Sequence, residues 1–373
     1  MEIGIRRLTA AIAGALLVLV LAGCHAAAAP VPKTAAPVAL PPLSQLDPVA
    51  DPRSVQGPST VVIGPPSLMP PAEAPTPTLP VTVRSHDGAA VRDVRVEDTS
   101  RIIALSLSGT TAELVHALGF GDRLVGRDVS TELPETSGLP VVTKKGHTID
   151  AEAVLSLQPT LVLTDGSIGP TDVVLQLRDA GIPVVTVPRA IDPESTAQAI
   201  REIAGALGVA SSADGLIQRL RTAIDEKGAE ISRLLPKDRE RLPRVVFLYV
   251  RGSAGVYYLF GKGSGADSLI TSVGAIDAAT ESGWEGERPM TPEALVALDP
   301  DVILVMTKGL ESAGGIDGLI EAQPSVALTT AGKNRRIIDA ADTEIFAGGT
   351  RIPDIMDGLA RALYAPASLA AGR

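Results

Sequence analysis

The chain has 373 residues, 45% hydrophobic and 20% charged, which is enough for two domains with their own cores. Its formal net charge of −10 argues against a nucleic-acid partner, which demands clustered positive charge. Cys24 is the one cysteine, so no intrachain disulfide can form, and at 2% aromatics each Tyr, Phe or Trp near a site is informative.

Arg6 and Arg7 precede an apolar stretch over 8–21 that runs into Leu21-Ala22-Gly23-Cys24. A charged start with a short apolar core reads as a signal peptide over 1–23, too short for a comfortable membrane span. Residues 24–80 are dominated by Ala, Pro and Val, as in PVPKTAAPVALPPL and PPAEAPTPTLP. Proline at this density denies helices and sheet ladders their N–H donors, so an extended tether is expected.

VTVRSHDGAAVRDVRV (81–96) alternates polar and apolar residues around His86-Asp87-Gly88 and predicts a hairpin leading an amino-terminal α/β lobe over 81–211. The strand RIIALS (101–106), a helix over 110–118, the helix and strand DAEAVLSLQPTLVLT (150–164) and the strand IPVVTV (182–187) follow. Asp192-Pro193-Glu194 then opens a helix to about 207. Strands alternating with helices predict a parallel sheet covered on both faces. In SADGLIQRLRTAIDEKGAEISRLL, Leu216, Ile217, Leu220, Ile224 and Ile231 fall near helical spacing, which predicts a connecting helix over 212–236. The carboxy-terminal α/β lobe, 237–373, restarts with the strand RVVFLYV (244–250). RGSAGVYYLFGKG (251–263) is expected as a Gly- and Tyr-rich loop facing the ligand, because doubly wound sheets bind ligands beyond their strands' carboxyl ends.

The 150–164 segment returns 141 positions later as TPEALVALDPDVILV (291–305), with Glu152/Glu293, Leu157/Leu298 and Pro159/Pro300 in register. A second echo relates SGTTAELVHALG (108–119) to SGADSLITSVGA (264–275). Two echoes in one order predict an α/β fold of two Rossmann-like lobes with parallel-rich sheets, joined by one long helix, with a ligand cleft between them.

Of the four histidines, His25 adjoins Cys24, His86 sits in the expected turn and His116 lies within a helix. His147 differs: it follows Lys144-Lys145-Gly146 in a loop and precedes the repeated helix. Tyr249 and Arg251 close the first strand of the second lobe on one face. A guanidinium beside a phenol favours the phenolate, a hard anionic ligand for Fe(III), and an imidazole from the opposite lobe could complete an axial pair. A Tyr at a strand end beside a solvated Arg is the plainer alternative. No Gly-x-Ser-x-Gly elbow, His-Glu-x-x-His or phosphate loop occurs, so no enzyme activity is expected.

Leu-Ala-Gly-Cys, the paired lobes, GHTIDAEAVLSLQPTLVL and FLYVRGSAG together resemble the haem-binding lipoproteins of bacterial ABC importers (the HmuT type), over about 98–366. The resemblance implies cleavage before Cys24, lipid attachment to its sulfur and a monomer held at the extracytoplasmic face of the cell membrane. Its ligand would be haem b, received free or from haem-donor proteins and delivered to an ABC permease and its ATPase. His147 and Tyr249 match the iron ligands, Arg251 an arginine hydrogen-bonded to that tyrosine, and Met306 a methionine lining the pocket. Glu152 and Glu293 match the glutamates that dock on the permease. Because the chain is acidic, cations must offset the haem propionates, and Arg127, Lys144, Lys145 and Arg251 are candidates. Tyr257, Tyr258 and Phe260 are candidates for contact with the porphyrin or for packing against their own lobe. A ferric-siderophore or cobalamin carrier of the same fold is the alternative, which would not need both His147 and Tyr249.

Overall fold

The structure is a computed structural model and describes residues 40–64, 66–88, 90–144, 146–345 and 348–370. The expected signal peptide, Cys24, His25, the tether up to residue 39 and Lys145 lie outside the described residues.

Residues 40–80, expected to continue the tether, are docked on the lobes. Leu43 is 1% exposed and joins Val61 in the core of the carboxy-terminal lobe. Strand β1 (Ser59–Thr60) adds in parallel to the last strand of that lobe, and buried Arg336 donates to Ser59 Oγ at 2.8 Å. The segment then crosses to the other lobe, where Leu68 and Leu79 pack on its core and the Thr78 N–H donates to the Gly208 carbonyl. Proline tolerates edge strands and extended stretches, and the few large apolar side chains among the Ala and Pro reward docking. Composition alone hides that.

β2 (Val81–Asp87) and β3 (Ala90–Val96) form the expected hairpin, but the turn falls past Asp87. His86 is therefore a strand residue, 3.1 Å from Glu202. Strand β4 (Ile102–Leu105) leads into α1 (Thr110–Val115), which passes at His116 into a wider turn short of the expected 118. β5 (Leu124–Arg127) follows, then a small hairpin of β6 (Thr143–Lys144) and β7 (Thr148–Ile149). Next come α2 (Ala151–Ser156), β8 (Leu161–Thr164), α3 (Thr171–Asp179) and β9 (Val184–Thr186). The four parallel strands run in the order β5-β4-β8-β9, and β4, β8 and β9 are buried at every residue, as helices on both faces require.

α4 (Pro193–Ala206) opens as expected, with Asp192 accepting from the Ser195 N–H at 2.7 Å and Pro193 in its first turn. α5 (Ala213–Ser232) joins the lobes. Its Leu216, Ile217 and Leu220 belong to the amino-terminal core, Ile231 belongs to the carboxy-terminal core, and Ile224 touches both.

In the second lobe β10 (Arg244–Arg251) is followed by a strand, β11 (Val256–Phe260), where a loop was expected. β11 runs antiparallel to β10 and sets Tyr258 opposite Tyr249. Val-Tyr-Tyr-Leu-Phe is rich in residues that suit a half-buried pleated surface, which outweighs the flanking glycines. α6 (Ala266–Ser272), β12 (Ile276–Asp277), α7 (Ala278–Glu281), β13 (Glu287–Pro289), α8 (Pro292–Leu298), β14 (Val302–Met306) and β15 (Ile337–Ala340) complete the sheet. Its order is β1-β15-β14-β10-β11-β13, with β12 also on β10.

The duplication reaches the backbone. α2 and α8 both end at a non-glycine residue in the left-handed region, Gln158 (φ 47°) and Asp299 (φ 37°), each directly before the repeated proline. A left-handed residue stops a helix and the proline prevents its resumption, so the strand starts at once. α1 and α6 likewise start after left-handed glycines, Gly109 (φ 75°) and Gly265 (φ 91°).

Candidate functional site

Tyr249, Arg251 and Met306 stand at the carboxyl ends of β10 and β14. Period-two geometry puts Phe247 and Tyr249 toward one layer of the lobe, while Val246, Leu248 and Val250 face the other. The Tyr249 ring lies nearly parallel to Phe260, centroids 6.2 Å apart and planes 14° apart, and Phe260 in turn meets Phe247 at 5.0 Å. Tyr258 and Met306 are half-buried on the same layer. Tyr249 is thus braced by a row of aromatic rings, yet its hydroxyl has no hydrogen-bond partner among the described residues. Arg251 is exposed and equally unpartnered, so the hydrogen bond to Tyr249 that the resemblance implies is not formed here. Tyr257 is corrected. Strand β11 turns it to the opposite layer, where it is 8% exposed among Leu248 and Leu259.

On the amino-terminal lobe His147 is exposed at the tip of the β6–β7 hairpin. Two of the expected propionate cations are already engaged. Lys144 pairs with Asp150 at 2.5 Å, and Arg127 donates to the carbonyls of Asp128 (3.3 Å) and Thr131 (3.1 Å), closing its own loop. Charges can be counted in a sequence; the carbonyls and carboxylates that occupy them cannot. Sequence reasoning passed over Arg189 and Lys308, which are exposed just beyond β9 and β14; neither side chain donates a hydrogen bond among the described residues, although the Arg189 charge acts on the Asp165 carboxyl. Their signal was position: each is the first basic residue after a buried strand.

The carboxyl ends of the two sheets meet. Thr343, beyond β15, donates to Glu132, beyond β5, at 3.2 Å. Gly349 N donates to Thr196 Oγ1 at 3.1 Å, and Glu113 of α1 accepts from both the N–H (2.6 Å) and the hydroxyl of Thr350. An apolar crevice of about 40 Å³ lined by Ile191, Ile224, Leu269 and Met356 also lies between the lobes, but it contains neither Tyr249 nor His147.

Burial pushes the Glu113 carboxyl above the ordinary glutamate range, against the two Thr350 hydrogen bonds and nearby Arg351. A carboxyl raised in the folded state contributes fully below its unfolded value, near 4.5, and that contribution is lost as pH rises through the folded value. Glu113→Gln keeps an acceptor for Thr350 but removes the titration. Its urea midpoint is expected to exceed that of the parent at about pH 8 and to match it at about pH 4. A variant less stable at the higher pH would show that this contact needs the charge.

The profile of the periplasmic binding protein family matches residues 104–343. The chain belongs to that family. This periplasmic binding protein superposes on the heme binding protein HmuT with a TM-score of 0.75 at 39% identity, covering 84% of this chain and 99% of that one. Solved variants of HmuT carry alanine in place of a His, a Tyr, and the Arg two positions after that Tyr. The ABC transporter substrate-binding lipoprotein YvrC of Bacillus subtilis (strain 168) is 31% identical over 301 residues, 79% of this chain and 88% of its own length. The vitamin B12-binding protein of Yersinia pestis (strain Pestoides F) is 34% identical over 80 residues, 21% of this chain and 29% of its own. These relatives are substrate-binding proteins, not enzymes, and this periplasmic binding protein is a binding component that works outside the cytoplasm.

Proposed function

We propose that the protein captures haem b between its lobes at the extracytoplasmic face of the membrane and delivers it to an ABC permease and its ATPase. The observation that carries this reading is Tyr249, a half-buried phenol braced by Phe260 at a strand's carboxyl end, with no group bonded to its hydroxyl among the described residues. A phenolate is a hard anion suited to Fe(III). His147, on the other lobe, supplies the second axial ligand, and Arg251 is the cation two residues along the same strand from Tyr249. The His, Tyr and Tyr-plus-two Arg substituted in HmuT support this assignment.

Met306 and Tyr258 border the macrocycle beside Tyr249, and Arg189 and Lys308 answer the propionates. Glu152 and Glu293, exposed in the first turns of α2 and α8, dock on the permease. Cys24 carries the lipid that retains the monomer at the membrane after haem is taken up free or from donor proteins. The match to a vitamin B12-binding protein favours cobalamin as the second reading. Protein isolated from its own membrane should release iron protoporphyrin, identified by absorbance and mass. A corrinoid or a ferric siderophore in its place would transfer the assignment to that ligand.

A further inference from the structure

Leu107 and Val129 are each 43% exposed, although each stands two residues past the end of one of the adjacent strands β4 and β5, at the cleft end of the amino-terminal sheet. Their backbones are pinned. Leu107 N donates to Ser167 Oγ at 2.8 Å, and Val129 N donates to Thr143 Oγ1 at 3.1 Å, in the hairpin that carries His147. Between them lies Asp128, which is fully buried. One of its oxygens accepts from Ser106 N at 2.9 Å, and the other accepts from Ser130 N (2.9 Å), Thr131 N (2.7 Å) and Thr131 Oγ1 (2.9 Å). A single carboxylate therefore bridges the residue before Leu107 to the two residues after Val129. The same loop reaches the other lobe through Glu132 and Thr343, so the pair stands where the two sheets' ends meet.

We propose that Leu107 and Val129 form a rigid apolar plate, set by Asp128, that covers one face of a flat macrocyclic ligand. Two aliphatic side chains held out of the core at fixed positions at the cleft end of the sheet gain when an apolar ligand surface covers them, and a flat one can cover both at once. A porphyrin offers such a face. A hydroxamate or catecholate siderophore, polar around its iron, does not. The plate acts on the ring rather than the metal, so it should bind metal-free protoporphyrin as well as haem. Asp128 is a positioning residue: it touches the loops and not the ligand.

This inference rests on the haem reading, and one set of titrations separates the two. The full protein is titrated with haem and with metal-free protoporphyrin, alongside a Leu107→Asn/Val129→Thr double variant, Asp128→Asn and the triple combination. Both substituted apolar side chains are exposed, so folding is retained. The double variant is expected to bind both ligands about ten- to a hundredfold more weakly, with the haem spectrum unchanged because the iron ligands are intact. Asp128→Asn should weaken both ligands in parallel and add little on top of the double variant. Haem affinity unchanged in the double variant overturns the plate. Additive losses overturn the positioning role of Asp128. A parent protein that binds neither porphyrin overturns the haem reading itself.

Discussion

Tyr249→Phe is expected to weaken haem binding by about a hundredfold or more, equivalent to about 2.7 kcal/mol, and to shift the Soret band. The substitution removes one oxygen. The ring that remains keeps its parallel contact with Phe260, and the β10–β11 register that sets Tyr249 opposite Tyr258 is unaffected. Because the hydroxyl has no partner among the described residues, its loss strands no buried donor or acceptor there, so stability should hold while affinity falls. An anionic ligand on ferric iron is worth more where there is less water, and Tyr249 is half-buried whereas His147 is exposed. His147→Ala should cost less, since His147 sits exposed on a hairpin tip where water can take its place. Equilibrium titration followed by absorbance checks both variants. A Tyr249→Phe protein with unaltered spectrum and affinity would remove Tyr249 from the iron.

Reversing charge at both Glu152 and Glu293, to Arg in each case, is expected to abolish haem-dependent uptake and leave haem binding in solution unchanged. Both side chains are exposed one residue into the first turns of α2 and α8, at the same step of the duplicated helix. The helices end alike, at Gln158 and Asp299, so the repeat delivers the two carboxylates in equivalent local settings. Two-point attachment multiplies weak contacts, so each single reversal should give an intermediate defect and the pair a complete one. Growth on haem as iron source, paired with a solution titration of the purified variants, reads the two effects separately. Loss of binding together with uptake would mean that these glutamates act on the cleft and not on a permease.

The lobes were legible because a parallel sheet covered on both faces writes itself as fully apolar runs: RIIAL, LVLT and VILV became β4, β8 and β14 within a residue or two. The duplication was legible for a similar reason, since helix stop, proline and buried strand recur at fixed spacing. Three features were not. Residues 40–80 read as a tether because proline density reports what backbone cannot form, not what Leu43 and Leu68 can bury. The stretch after Arg251 read as a loop because its glycines drew attention away from Val-Tyr-Tyr-Leu-Phe, and a loop left both roles open for Tyr257, of which strand β11 selects packing within its own lobe. The cations were miscounted because Arg127 and Lys144 are taken by neighbours that only folding supplies. The site also gains from where the halves differ. His147 stands at a hairpin tip, whereas Arg288, its counterpart in the repeat, is locked into β13 opposite Leu259.

The central claim is that this periplasmic binding protein is a haem carrier and not a carrier of another iron chelate or of cobalamin. Stepwise addition of haem, and separately of cobalamin, to the purified full chain tests it most directly. A haem carrier gives a Soret band that saturates with haem and leaves the spectrum of free cobalamin unaltered. Cobalamin bound with no saturating Soret change on haem addition would contradict it.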